Sequence, residues 1–276
     1  MKDVTFGQYY PADSIVHRLD PRTKLLFTFF YIVAIFFIKS PLGYAGVAVY
    51  AVAIIFAARI PVRTVLKSLK AVIFLLLFTM ILNVFFYKDG EVLIEFWKIK
   101  ITVEGLFFSF TMALRLILLV MGTSLLTFTT TPTALTDAIE GLLKPLKYIG
   151  INVHDLAVIM SIALRFIPSI QEETEKIISA QKARGAEFDT GNIFKKAKAM
   201  LPILIPLFIS SFRRADELAL ALDARCYNLS DKRTKMKILK YKKTDFAALF
   251  YALLFVGLIV ADRIFLVNID IIGLLR

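Results

Sequence analysis

The sequence predicts an all-α membrane protein, and three observations carry that expectation. Hydrophobic residues make up 58% of the 276, with 25 Phe, against about 45–50% in soluble chains. Uncharged stretches approaching the roughly 20 residues of a spanning helix recur along the chain. The net charge is +12, from 34 Lys+Arg against 22 Asp+Glu, and the basic residues gather in particular loops, as when cations are kept on one side of a bilayer. High apolar content excludes a disordered chain, and a single cysteine, Cys226, excludes a disulfide-stapled one. Two histidines and that cysteine are too few for a His/Cys metal cluster. Nucleic-acid binding would explain the charge but not the hydropathy, so no such partner is expected.

Residues 1–20 lack the apolar core of a signal peptide and read as a polar lead-in. The first span is residues 25–38, between Lys24 and Lys39, reaching membrane length with a start near Pro21. The second is 40–58, uncharged as far as Arg59, and the third is 71–87, between Lys70 and Lys88. The fourth runs from Gly105 to about Thr131, interrupted by Arg115. After a long charged interval, 246–261 is uncharged and continues to about Leu266, giving about five spans.

Loop charge sets the orientation. Arg59, Arg63, Lys67 and Lys70 face no acid between spans two and three, so that loop is cytoplasmic. The next loop, 88–104, holds Asp89, Glu91, Glu95 and Glu104 against three Lys and reads as external. Arg18, Arg22 and Lys24 place the N-terminus in the cytoplasm, which agrees. Three regions follow: 1–131 with four spans, a cytoplasmic domain at 132–244, and 245–276 with the last span and an external C-terminus.

Ion-coupled carriers keep carboxylates or histidines inside the membrane. The first three spans and the body of the last have none. Arg115, without a nearby acid, reads as structural, with snorkelling or a partner protein as the alternatives. Enzymatic machinery is equally scarce. There is no G-x-x-x-x-G-K-[ST] loop, no H-E-x-x-H and no paired-Asp motif, so neither ATP binding nor a metal or other cofactor is expected. His17, in the lead-in, and His154, beside Asp155, read as surface or capping residues. Cys226, between Arg225 and Tyr227, reads as packing.

The charged interval is more informative. A first helix is expected at 133–148, capped by Thr133 or Thr131. Residues 153–184 read as a long helix, apolar at first (Leu156, Ile159, Ile162, Phe166, Ile170) and polar from Gln171. Pro168 should kink it, and Gly185 is placed to cap it. Residues 194–226 repeat the plan, with an apolar run at 199–212 carrying Pro202 and Pro206. That run is short for a span and reads as interfacial or buried. The two helices end alike: A-Q-K-A-R-G at 180–185 matches A-L-D-A-R-C at 221–226 at a 41-residue offset, sharing A-x-x-A-R followed by a small residue. One arginine near a helix end merely suits the helix dipole. Two copies on one side of a membrane look like plugs, small residues entering a groove while the guanidinium reaches an acidic partner.

The chain resembles the transmembrane T component of energy-coupling factor (ECF) transporters, bacterial and archaeal ATP-driven importers of vitamins and metal ions. The resemblance rests on 14–24 (S-I-V-H-R-L-D-P-R-T-K), 163–168 (A-L-R-F-I-P), Arg214 to Ala219 (R-A-D-E-L-A) and the twin Ala-Arg ends. It implies that Ala183, Arg184 and Gly185 dock in one ATP-binding-cassette subunit of a dimer, and Ala224, Arg225 and Cys226 in the other. Cys226 stands where the family has Gly, and a side chain there works against a left-handed cap. The resemblance also implies a multi-pass cell-membrane protein with a cytoplasmic coupling domain of about three helices. It would transmit ATP-driven movement to a substrate-binding membrane subunit for vitamin or micronutrient uptake, binding neither ATP nor substrate itself. The apolar runs 156–164 and 199–212 are the expected dock for that subunit, or else packing within the domain. The rival readings are a membrane enzyme acting on lipid or prenyl substrates, for which Asp155, Glu172 and Glu173 have no metal-binding spacing, and a self-sufficient carrier.

Overall fold

The structure, a computed structural model, describes residues 9–38, 40–86, 92–96, 99–150, 153–186, 188, 193–227 and 239–265. The basic stretch between Lys232 and Lys237 and residues 266–276 lie outside the described residues.

Side-chain caps fix several of the helix starts. α1 (Pro21–Phe37) opens with proline at its first position, and the Asp20 carboxylate accepts from the Arg22 amide at 2.9 Å. α2 (Pro41–Ala57) repeats this with Ser40, whose Oγ accepts from Gly43 N. α3 (Val62–Phe86) leads into the 88–104 loop, which carries a short antiparallel pair, β1 (Val92–Phe96) with β2 (Ile99–Thr102). Thr102 then caps α4 (Val103–Thr129) through Gly105 N. Of the two candidate caps for the next helix, Thr131 is the one used, accepting from Ala134 N. That helix, α5 (Pro132–Leu143), is shorter than the expected 133–148. Pro145 supplies no amide and disfavours helix before it, so a 3-10 turn (Lys144–Ile149) follows and closes on Gly150 at φ 85°. α6 (Val153–Ala183), α7 (Ile193–Ala224) and α8 (Lys243–Phe265) complete the chain.

The chain divides into two units, Met1–Gly141 with Leu239–Arg276, and Leu142–Ile238. In the first, α1 packs against α4 and α8, and α3 runs along α4. One core cluster joins Tyr31, Ile35, Val47, Leu118 and Ile259; another joins Ile55, Val65, Leu125 and Phe128. Gly122 makes the first possible, because a Cβ there would overlap the Tyr31 ring, whose hydroxyl donates to Leu118 O at 2.9 Å.

Polar joints lock this unit at both helix ends. Buried Asp245 accepts from the Asp20 amide (2.8 Å) and the Lys242 amide (2.7 Å), tying the starts of α1 and α8. Buried Lys24 donates to Thr129 O (2.8 Å) and His17 O (3.0 Å), so an ammonium closes the end of α4, where carbonyls lack helical partners. At the opposite ends, Ser40 Oγ donates to Asp262. Arg115 proves structural: it donates to Tyr44 Oη (2.6 and 3.0 Å) and to Ile38 O (3.2 Å), the carbonyl just past α1.

By length and composition, α3, α4, α6 and α8 can each cross a membrane, with α2 a shorter apolar helix. α6 thus qualifies as a span, although the sequence places it in a cytoplasmic domain. Its apolar residues are more one-sided than those of α1–α4 and α8, a property shared with α5 and α7. Such asymmetry suits a helix lying at an interface better than one surrounded by lipid.

Candidate functional site

The second unit is built on α6 and α7, whose lateral contacts fix their relative direction. Arg214 reaches Ser169 and Glu173, and Gln181 Nε2 donates to Pro202 O at 3.4 Å. As the numbers rise along α6 they fall along α7, so the helices run antiparallel. The C-terminal ends of α6 and α7 therefore point away from each other. The Gln181 contact has a simple origin. Pro206 carries no amide, which leaves the Pro202 carbonyl without its helical donor, and a neighbouring amide side chain takes the vacancy.

Both ends close in the same way. Gly185 N donates to Lys182 O and Ala186 N to Gln181 O, each at 3.0 Å. Cys226 N donates to Asp223 O and Tyr227 N to Leu222 O, each at 2.9 Å. These are two Schellman motifs with Arg184 and Arg225 at the same capping position. Gly185 sits at φ 85° and Cys226 at φ 53°. The left-handed cap is thus kept where glycine is missing: two backbone hydrogen bonds outweigh a side-chain penalty of about 1–2 kcal/mol.

Ala183, Arg184, Gly185, Ala224, Arg225 and Cys226 are all exposed. Among the described residues neither guanidinium has an ion pair or hydrogen-bond partner. Each tip thus offers five unused N–H donors beside a small-residue surface, suited to a carboxylate-bearing groove. Behind the tips lie exposed apolar faces: Leu156, Ile159 and Met160 on α6, and Leu201, Leu204, Ile205, Phe208 and Phe212 on α7.

Other residues noted in the sequence are accounted for within the fold. His17 Nε2 faces Tyr10 O (3.0 Å) and its Nδ1 faces Ser14 Oγ (2.7 Å), with burial pushing its pKa down despite the Tyr10 carbonyl. The exposed Arg18 forms a two-point pair with Asp13 that holds the Asp13 carboxyl below its usual range. The sequence reading assigns no role to Ser169 or Gln181, and takes Glu173 only as a carboxylate without metal-binding spacing, not as the partner of Arg214. The offset between the twin ends could have found one of them, since it superposes Glu173 on Arg214.

Comparison with known proteins adds the family. Residues 12–236 match the pattern of the CbiQ family, described as cobalt transport protein. The energy-coupling factor transporter transmembrane protein EcfT of Ruminiclostridium cellulolyticum is 50% identical over 245 residues, 89% of this chain and 91% of that protein. EcfT of Clostridium kluyveri is 48% identical over 265 residues, 96% and 98% of the two chains. EcfT of Acidaminococcus fermentans is 51% identical over 245 residues, 89% and 91%. With its apolar helices and its near full-length match to these relatives, the chain belongs to the CbiQ family as an EcfT-like, non-catalytic transmembrane component of an energy-coupling factor transporter.

Proposed function

We propose that the chain links two ABC-type ATPase subunits to a separate substrate-binding membrane subunit in the cell membrane, and transmits ATP-driven movement for uptake of a vitamin or similar micronutrient. The observation that carries this is the matched pair of exposed arginine tips at opposite ends of one antiparallel helix pair. Ala183, Arg184 and Gly185 enter a groove of one ATPase, and Ala224, Arg225 and Cys226 a groove of the other. Closure of the ATPase dimer on ATP shifts the tips relative to each other. Pro168, Pro202 and Pro206 hold bends that direct α6 and α7, and the exposed apolar faces receive the substrate-binding subunit.

In this reading residues 132–244 form a cytoplasmic coupling domain, between four spans in 1–131 and a last one in 245–276, with the N-terminus inside. The antiparallel pairing supports an interfacial α6. A membrane-spanning α6 running beside α7 would carry Arg184 and Arg225 to opposite faces, and ATPases on one face could not engage both.

Purification of the intact chain from native membranes tests the function. Two ATPase copies per chain and a substrate-binding membrane protein should co-purify; a chain that isolates alone would revive the lipid-enzyme or carrier reading. A cysteine at exposed Lys176, in a Cys226→Ser background, tests the topology. It should react with a membrane-impermeant thiol reagent only in opened cells, and labelling of intact cells would refute the cytoplasmic placement.

A further inference from the structure

Arg214 belongs to a motif that the docking tips leave unexplained. One guanidinium nitrogen donates to Ser169 Oγ, and the other meets Glu173 Oε2 at 2.5 Å. Ser169 and Glu173 are one turn apart on α6, so two contacts on one planar group fix α7 in both position and rotation. The pair is half-buried, with the Arg214 and Glu173 side chains 30% and 24% exposed.

Its place along the helices is what matters. Glu173 lies about three helical turns before Arg184, and Arg214 lies the same distance before Arg225. At about 1.5 Å per residue, each tip stands roughly 16 Å from the clasp along its own helix. The helices are antiparallel, so these equal arms point in opposite directions. The clasp therefore lies on a local two-fold axis that exchanges the tips, matching the symmetry of a dimer with two similar grooves.

We propose that Arg214 is a positioning residue for coupling: held by Glu173 and Ser169, it forms the fulcrum that keeps the two tips equidistant and makes movement of one arm turn the other. This rests on the reading of the tips as ATPase docks. A partly exposed ion pair adds little stability, so the clasp acts through the crossing geometry it imposes. A lysine has one point charge for two partners and cannot replace the fork.

The test uses the complete transporter in liposomes and compares Arg214→Ala, Arg214→Lys, Glu173→Arg and the exchange Glu173→Arg with Arg214→Glu. Each single variant should retain its ATPases and hydrolyse ATP, while substrate taken up per ATP falls by at least about 5-fold, the low end of typical coupling between sites. Spin labels at Lys182→Cys and Asp223→Cys, in a Cys226→Ser background, should show a broader distance distribution in Arg214→Ala. The exchange should restore both uptake per ATP and the distribution. Unchanged uptake per ATP and an unchanged distribution in Arg214→Ala would overturn the fulcrum, as would loss of the ATPases that the exchange does not repair. Failure of the docking reading looks different: ATPases would stay bound to Arg184→Glu with Arg225→Glu, whatever the label distances.

Discussion

The basic side chains of the two units are used in contrasting ways. In the first unit Lys24 and Arg115 are turned inward onto backbone carbonyls and a tyrosine hydroxyl. In the second, Arg184 and Arg225 stand at helix ends with no partner among the described residues, while Arg214 is turned onto Glu173 and Ser169. Lys24 and Arg115 commit donors within the chain, whereas the tip guanidiniums keep all of theirs, as the docking reading requires.

The strongest way to break that contrast is to reverse both open charges. Truncating one side of a buried, hydrogen-bonded charge pair costs about 2–5 kcal/mol, which is roughly 30-fold to several-thousand-fold in affinity. Arg184→Glu with Arg225→Glu should therefore release the ATPases, while the thermal midpoint of the isolated chain stays within error. A helix-dipole role would change stability by about 0.3–1 kcal/mol and leave assembly intact. Co-purification of ATPases at the parent ratio decides between them.

The converse substitution concerns a committed charge. Lys24→Met abandons two carbonyls, each costing about 1–3 kcal/mol when left buried and unsatisfied. The isolated chain should lose several kcal/mol, seen as a lower midpoint in detergent, with ATPase affinity unchanged in whatever fraction remains folded. An unaltered midpoint would remove Lys24 from the structural class.

A finer comparison lies between the two tips. Cys226→Gly should relieve about 1 kcal/mol of left-handed strain, slowing hydrogen exchange at Tyr227 by about 5-fold without altering docking. Gly185→Ala should do the reverse at Ala186. Equal exchange in parent and Cys226→Gly would mean that the cysteine sits there without strain.

The smallest effect concerns His17. Burial lowers its folded pKa below the ordinary 6.5, so the unfolded chain takes up the proton first on acidification. Stability is then complete above about pH 6.5 and declines as pH falls from there toward the folded value. The Asp13–Arg18 pair acts only in the carboxylate range, at lower pH. A His17→Gln chain should show a flatter midpoint between pH 7 and 5, and an identical slope would exclude the histidine.

Much of this was legible in the sequence because it depends on neighbours in the chain. The start near Pro21, the cap at Thr131, and the repeated ends at 180–185 and 221–226 are local signals. Asp245 bonding Asp20, and Lys24 closing α4, are not local: their partners are 225 and 105 residues away, and nothing in either segment names the other. The Cys226 cap was obscured for a different reason. Glycine preference measures intrinsic backbone strain, and at this position the paired amides decide the conformation instead. Amphipathicity sets α6 apart from α1–α4 and α8, yet α6 also meets the criteria for a span by length and composition, so periodicity alone does not fix its place.

The Asp20–Asp245 bond also bears on how the protein is made. A ribosome adding about 5–20 residues per second needs roughly 10–45 s to travel from Asp20 to Asp245. Throughout that interval α1 lacks its partner α8, and the whole arginine-tipped segment is synthesised between them. The joint between α1 and α8 can therefore close only after the whole tip-bearing segment has been made, and a chain broken off within that segment lacks the carboxylate that the Asp20 amide meets.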